Sequence, residues 1–272
     1  MTPSPQMPCR LQKCRGTIYF LALLFCLFPA RTNAQTLRVA AAADLQFVLP
    51  ELATRYAKES GVKLEITYGS SGNFSGQIQN GAPFDIFFSA DLSYPDALVK
   101  SGFADPGAVY SYGVGRIVLW VPADSPIEPA KLGWESLLQS SVQKIAIANP
   151  EHAPYGRAAR AALENAGLFA RVKSKLVFGE NISQTAQFVQ SGNAQIGFVA
   201  LSLALSPAMS SGKRWEVPVD CYPPLLQAVV ILKNSPSKMA AEKFIAFLKT
   251  ETARAILVRF GFSQPAPAGP AR

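Results

Sequence analysis

The segment Tyr68-Gly69-Ser70-Ser71-Gly72-Asn73 joins an alternating stretch, Val62 to Thr67, to a short helix-like run, Phe74 to Gln79, that Asn80-Gly81 stops. A strand ending in glycines and hydroxyls at a helix start presents backbone N–H groups, serine O–H groups and the positive end of a helix dipole to one point. That combination suits an oxyanion. It equally suits an ordinary N-cap and turn, because Ser, Asn and Gly are favoured there for their own reasons. Three more strand-to-helix loops have the same character: Ala41-Ala42-Ala43-Asp44, Asn149-Pro150-Glu151-His152-Ala153-Pro154-Tyr155-Gly156 and Glu180-Asn181-Ile182-Ser183. Small residues let the backbone approach a ligand closely, and Ser71 and Tyr155 offer hydroxyls. None of these loops carries Lys or Arg before its helix starts, so an anion held there is held by neutral dipoles and not by ion pairs.

The elements that must position these loops alternate strand and helix. Leu37 to Ala41 reads as a strand. An amphipathic helix follows from about Leu45 to Lys58, interrupted near Pro50 and stopped by Gly61. Phe84 to Ser89 is almost continuously apolar, as in a strand buried on both faces. A helix over Tyr94–Lys100 ends at Gly102. The rhythm changes at Tyr112–Val121, a long strand and a candidate crossover between units. A second series follows: strand Lys144–Ala148, helix Ala158–Asn165, strand Lys175–Phe178, helix Ile182–Gln190 and strand Gln195–Val199. An extended return runs through Leu226–Leu232, and helices Ser237–Lys249 and Glu251–Phe260 close the chain. Alternation of this kind predicts an α/β fold with two parallel-rich sheets flanked by helices, the second unit inserted in the first and hinged by two crossover segments. The boundaries read as residues 35–118 plus 227–262 for lobe I and 119–226 for lobe II, with 263–272 a disordered tail. In parallel α/β sheets, ligands bind at the carboxyl ends of the strands, where these loops lie.

Residues 1–34 read as a signal peptide: a basic n-region of Arg10, Lys13 and Arg15, an apolar Thr17–Phe28, and Thr32-Asn33-Ala34 before a cleavage point at Gln35. The apolar run is too short to span a bilayer. Removing its four basic residues from 26 leaves 22 against 18 acidic ones, a net charge of +4 instead of +8. No basic block remains, so nucleic acid is not an expected partner. Cys9, Cys14 and Cys26 leave with the segment, and Cys221 alone cannot form an intramolecular disulfide. With His152 the only histidine, a multi-histidine metal centre is excluded.

Taken in order, Val39-Ala40-Ala41-Ala42-Ala43-Asp44-Leu45, Gly69-Ser70-Ser71-Gly72, Asn80 to Asp91 (NGAPFDIFFSAD), Asn149 to Gly156 (NPEHAPYG) and Gly197-Phe198-Val199-Ala200 resemble the periplasmic molybdate-binding proteins of ABC transporters, over essentially Leu37 to Phe262. The resemblance implies a two-lobe periplasmic-binding-protein fold and a monomeric, non-enzymatic protein needing no cofactor. It implies capture of molybdate, and tungstate too, in an interdomain cleft, and delivery to an ABC permease in the inner membrane. Carried over by position, the ligand contacts it implies are Ala43, Asp44, Ser71, Tyr155 and Ile182: a hydroxyl and N–H at Ser71, an added hydroxyl at Tyr155, and a backbone N–H at Ile182. Ala200 stands where some members have a tyrosine.

Asp44 departs from that pattern, because a carboxylate repels an oxyanion where Ser, Thr or Asn would donate to it. Two expectations follow. Asp44 caps its helix with its side chain turned away and gives only its N–H, or it accepts a proton from a protonated ligand such as hydrogen phosphate. The alternative functions are therefore binding of sulfate, phosphate or a phospho-metabolite, and, from another class, a secreted hydrolase using Asp85, Asp91 or Glu180. His152 is expected to shape its loop, Asp85 and Asp91 to cap or brace theirs, and Cys221 to be a structural thiol.

Overall fold

The continuous apolar runs become strands buried along their whole length. In the computed structural model, which describes residues 1–4 and 36–265, β3 (Ile86–Ser89), β5 (Ile117–Val121), β6 (Ile145–Ala148) and β8 (Ile196–Ala200) bury every residue. The cleavage point and all but the first four residues of the expected signal peptide lie outside the described residues, as does most of the expected tail.

One sheet has the order β2-β1-β3-β10-β4, with β1 Thr36–Ala42, β2 Lys63–Gly69, β4 Ala104–Gly115 and β10 Leu225–Leu232. The other has the order β7-β6-β8-β5-β9, with β7 Leu176–Gly179 and β9 Lys213–Glu216. The two follow one plan. β1 lies parallel between β2 and β3 as β6 lies parallel between β7 and β8, and β10 and β5 each pair antiparallel on both sides. The sheets are thus mixed, with two parallel and two antiparallel pairings each.

Helices α1 (Val48–Ser60), α2 (Ser71–Gln79) and α3 (Ser93–Lys100) flank the first sheet. α4 (Pro129–Leu132), α5 (Pro154–Asn165), α6 (Phe169–Val172), α7 (Ile182–Gln190) and α8 (Leu201–Ala204) belong with the second, and α9 (Lys238–Leu248) and α10 (Glu251–Arg259) return to the first. α1 buries Val48, Leu49, Leu52 and Tyr56, one helical stripe, and ends on Gly61 at φ 73°. That left-handed cap favours a residue without Cβ.

The cores follow the period-two alternation of the strands. Leu37, Val39 and Ala41 face α1, α9 and α10 with Phe244, Leu248 and Leu257, whereas Ala40, Phe87 and Val230 face Phe74, Ile78 and Leu98 of α2 and α3. The second sheet has its own core of Ile145, Ile147, Leu163, Val189 and Phe198. Ala42, Ala43 and Ala90 of the first lobe pack into it.

Four readings are corrected. The Tyr112–Val121 stretch is two strands in different sheets, broken at Arg116, because the chain turns from one lobe to the other there. The crossings therefore fall at Arg116 and between β9 and β10, so that Ile117 and Val118 belong to lobe II and Leu225 and Leu226 to lobe I. α5 starts at Pro154 and not at Ala158, since Pro at a first helical position loses no hydrogen bond. Ser263 is not tail: it exchanges backbone hydrogen bonds with Val114 at 2.8 and 3.1 Å.

Candidate functional site

Each of the four loops ends a parallel strand and starts a helical turn, so each delivers its first N–H groups to the same end of its sheet. β1 runs into the 3-10 turn Ala43–Leu45, β2 into α2, β6 into α5 and β7 into α7. The first turn of a helix has no internal acceptor for its N–H groups. At α2 the cap is Ser70, whose Oγ accepts the Asn73 N–H at 3.4 Å. Ser71 is buried beside it, and its Oγ accepts the Ala90 N–H at 3.0 Å, which leaves the Ser71 O–H to donate. At α7 the Asn181 side chain takes the N–H groups of Ser183 and Gln184, both at 3.0 Å, and leaves that of Ile182.

These helix starts meet in one small cavity. Ala43, Asp44, Ser71, Tyr155 and Ile182 all line it, together with Gly69, Ser70, Ala90, Ala153 and Asn181. The walls come from both lobes and hold no Lys, Arg or His.

Asp44 does not cap a helix. Its carboxylate is buried between the lobes, where Oδ2 accepts from Gln227 Nε2 at 2.6 Å and from the Tyr155 hydroxyl at 3.0 Å. Gln227 Nε2 also reaches the Tyr155 oxygen at 3.0 Å, and Gln227 Oε1 accepts the Tyr112 hydroxyl at 2.7 Å. The Asp44 carbonyl accepts the Ser202 hydroxyl at 2.7 Å. Oδ1 has no partner among the described residues. Burial pushes the Asp44 carboxyl up to about 6, against the bonds from Gln227 and Tyr155 that favour its charged form. Burial and the nearby Asp44 charge hold Tyr155 and Tyr112 well above the usual phenol range, so both remain donors. The Tyr155 hydroxyl, expected as a donor to the ligand, here donates to Asp44.

The rim is closed by contacts between lobes. The Gly72 N–H donates to the His152 carbonyl at 2.9 Å. The His152 ring bridges Ser70 Oγ at 2.9 Å and Glu180 at 3.3 Å, and Asn73 Nδ2 meets the same Glu180 carboxylate at 3.3 Å. Arg157 pairs with Asp91 at 2.6 Å and donates to the Tyr94 hydroxyl at 2.8 Å. Ser183 donates to Gln46. His152 thus does more than shape its loop. Asp85 lies elsewhere, bonded by the Arg38 N–H at 2.8 Å and by Ser235 at 2.8 Å, and none of Asp85, Asp91 and Glu180 lines the cavity.

Gln227, Tyr112 and Ser202 escaped sequence reasoning. The available signal was a Gln inside the apolar run of β10: a buried amide in a strand needs a partner. Nothing local says that the partner is an aspartate 183 residues away.

Two closed α/β lobes with helix starts converging on a small polar cavity define a bacterial solute-binding protein. The chain belongs to the bacterial extracellular solute-binding protein family, whose model matches residues 37–263. It is 37% identical over 242 residues to the molybdate-binding protein ModA of Azotobacter vinelandii, covering 87% of this chain and 93% of that one. It is also 37% identical over 227 residues to ModA of Rhodobacter capsulatus, covering 82% and 87%. The solved periplasmic molybdate-binding protein of Azotobacter vinelandii superposes with a TM-score of 0.80 at 35% identity, over 85% of this chain and all of that one.

Proposed function

We propose that this protein captures molybdate in the cavity between its lobes and hands it to an ABC importer. The observation that carries this reading is the convergence of Ala43, Asp44, Ser71, Tyr155 and Ile182 on one cavity without a cation. Dipoles fixed at helix starts suit a dianion that must give up its water. The ligand meets the protein through its oxygens, so the protein supplies donors and no metal-coordinating side chains. On this reading the Ser71 hydroxyl and the N–H groups of Ser71, Tyr155 and Ile182 hold the oxygens, and the lobes close over them. The names of the ModA relatives support the identity of the anion.

We also propose tungstate as a ligand, because it presents the same tetrahedron of oxygens. The protein acts without a cofactor and without catalysis, as a periplasmic monomer whose membrane partner is a permease. Support for the compartment comes from the basic and apolar N-terminal segment and from the periplasmic relative.

A thermal-shift panel of molybdate, tungstate, sulfate and phosphate tests the reading. Ligand at ~100 times its dissociation constant adds about 2.7 kcal/mol, or roughly 5–11 °C for a chain this size. Molybdate and tungstate are expected to give that shift, and sulfate little. The buried Asp44 carboxyl favours one rival, hydrogen phosphate, whose proton it could accept; a phosphate shift equal to or above that of molybdate would replace molybdate by phosphate.

A further inference from the structure

Asp44 puts an acid in the wall of a cavity that suits an anion. Asp44 is 1% exposed, one carboxyl oxygen is engaged by Gln227 and Tyr155, and the other has no partner among the described residues. The elements packed around it bring only neutral groups: Tyr155 from α5, Gln227 from β10, Tyr112 from β4 and Ser202 from α8. Among the described residues no Lys, Arg or His pairs with it. A dianion beside an unpaired buried carboxylate would gather three negative charges in a space without a counter-charge. A proton on Oδ1 removes one of them and turns the orphan acceptor into a donor.

We propose that Asp44 is the proton-accepting acid of this site: it takes up a proton as the oxyanion binds and donates its O–H to a ligand oxygen. This rests on the oxyanion-binding reading above. The proton comes from solvent and settles on Oδ1, while Oδ2 keeps its bonds from Gln227 and Tyr155. Burial already holds this carboxyl above its ordinary range, and a bound dianion raises it further. A fully deprotonated tetrahedral dianion gains a donor from the protonated acid. Hydrogen phosphate brings its own proton to the same Oδ1 and needs none from solvent. The acid therefore separates the anions by proton uptake: molybdate and tungstate bind with a proton taken from solvent, hydrogen phosphate without one.

Other groups that come together on closure are His152 with Glu180, and Arg157 with Asp91. Of these, His152 carries an ionisable ring that faces the other lobe through Ser70, so the test must separate it from Asp44.

The experiment is calorimetric titration of the full mature chain with sodium molybdate in buffers of different ionisation enthalpy, phosphate being avoided. Proton uptake approaching one per anion is expected near neutral pH, with the dissociation constant rising about tenfold per pH unit from about pH 6 to about pH 8. Uptake is expected to persist in His152→Gln and to vanish in Asp44→Asn, which binds with a flat pH profile through its amide donor. If Asn at this position prevents folding, Asp44→Thr supplies a hydroxyl that does not titrate and serves the same comparison. Binding by the parent without proton uptake overturns the proposal, as does uptake lost in His152→Gln. Absence of any molybdate binding overturns the oxyanion reading itself, and this proposal with it.

Discussion

The Gly72 N–H donates to the carbonyl oxygen of His152 at 2.9 Å, so the two lobes meet backbone to backbone beside the cavity. The contact depends on a missing side chain. A Cβ at residue 72 would lie 2.7 Å from that carbonyl oxygen, 2.8 Å from the Tyr94 hydroxyl and 2.9 Å from His152 Cα. Two of these three atoms are backbone and cannot swing aside.

Gly72→Ala is therefore expected to block full closure while leaving each lobe intact. Molybdate affinity should fall by about tenfold or more, equivalent to ~1.4 kcal/mol. The ligand-free melting temperature should hold or rise, since Ala is a better helix former than Gly by up to about 1 kcal/mol. Calorimetry and a ligand-free melt measure the two effects separately; a variant with parental affinity would show that this contact does not govern closure.

Ser71→Ala tests the donor set. A hydrogen bond to a charged group is worth about 1.5–3 kcal/mol, or roughly 10- to 150-fold in affinity. The substitution also orphans the buried Ala90 N–H, which Ser71 Oγ accepts at 3.0 Å. A loss of about 1–3 kcal/mol in stability is expected alongside. If stability falls and molybdate affinity does not, Ser71 serves only to brace Ala90.

Much of this arrangement was legible before any coordinates. The apolar run Phe84–Ser89 read as a strand covered on both faces and Gln195–Val199 read as a strand, within two residues of β3 and β8, and Asn181 before Ile182 marked the start of α7. The helix starts that line the cavity follow from strand ends that are themselves visible in the sequence. What escaped is long-range. The edge strand β9 is short, charged and only partly buried, so its composition resembles a loop. The break at Arg116 was missed although Gly113 and Gly115 precede it, because the apolar run Ile117–Val121 prolongs the strand pattern beyond it. The Tyr155 hydroxyl sits in the loop where an oxyanion donor was expected, yet its partner is Asp44 on the other lobe, and no local pattern encodes that choice.

Arg157→Ala should weaken the closed form modestly. Its guanidinium pairs with Asp91 across the cleft at 2.6 Å, with both side chains about one-third exposed. Such pairs contribute roughly 0.2–1 kcal/mol, so a two- to fivefold loss of molybdate affinity is expected, and a smaller one at high salt. Burial would raise the Asp91 carboxyl, but bonds from Ser93 and Arg157 outweigh it and hold it below its ordinary value. The pair's contribution is therefore present above the usual carboxylate range and lost only in stronger acid. A loss of affinity that ignores salt would point to lost packing on the Tyr94 ring, over which Arg157 lies at 5.3 Å.

Asp44→Asn should shift the ligand-free protein toward the closed form at neutral pH. The carboxyl moves from an ordinary 3.8 to about 6 on burial between the lobes, so the closed form holds the proton more tightly than an open, solvated one. The sign follows from linkage: closure is favoured by this group below its ordinary value, and that advantage is lost as pH rises to about 6. Above that, the buried charge opposes closure by on the order of 3 kcal/mol, a shift of roughly 150-fold in the open–closed equilibrium. Asparagine keeps an acceptor for Gln227 Nε2 and the Tyr155 hydroxyl and carries no charge. Small-angle scattering on ligand-free protein reads the outcome as a radius of gyration. The parent should be more compact at about pH 4.5 than at about pH 7.5, and the variant compact at both. Asp91 does not confound the comparison, since its carboxyl is held below its ordinary value and titrates beneath this window. A parent whose radius is the same at both values, with a variant that matches it, would show that the Asp44 charge does not set the resting position of the lobes.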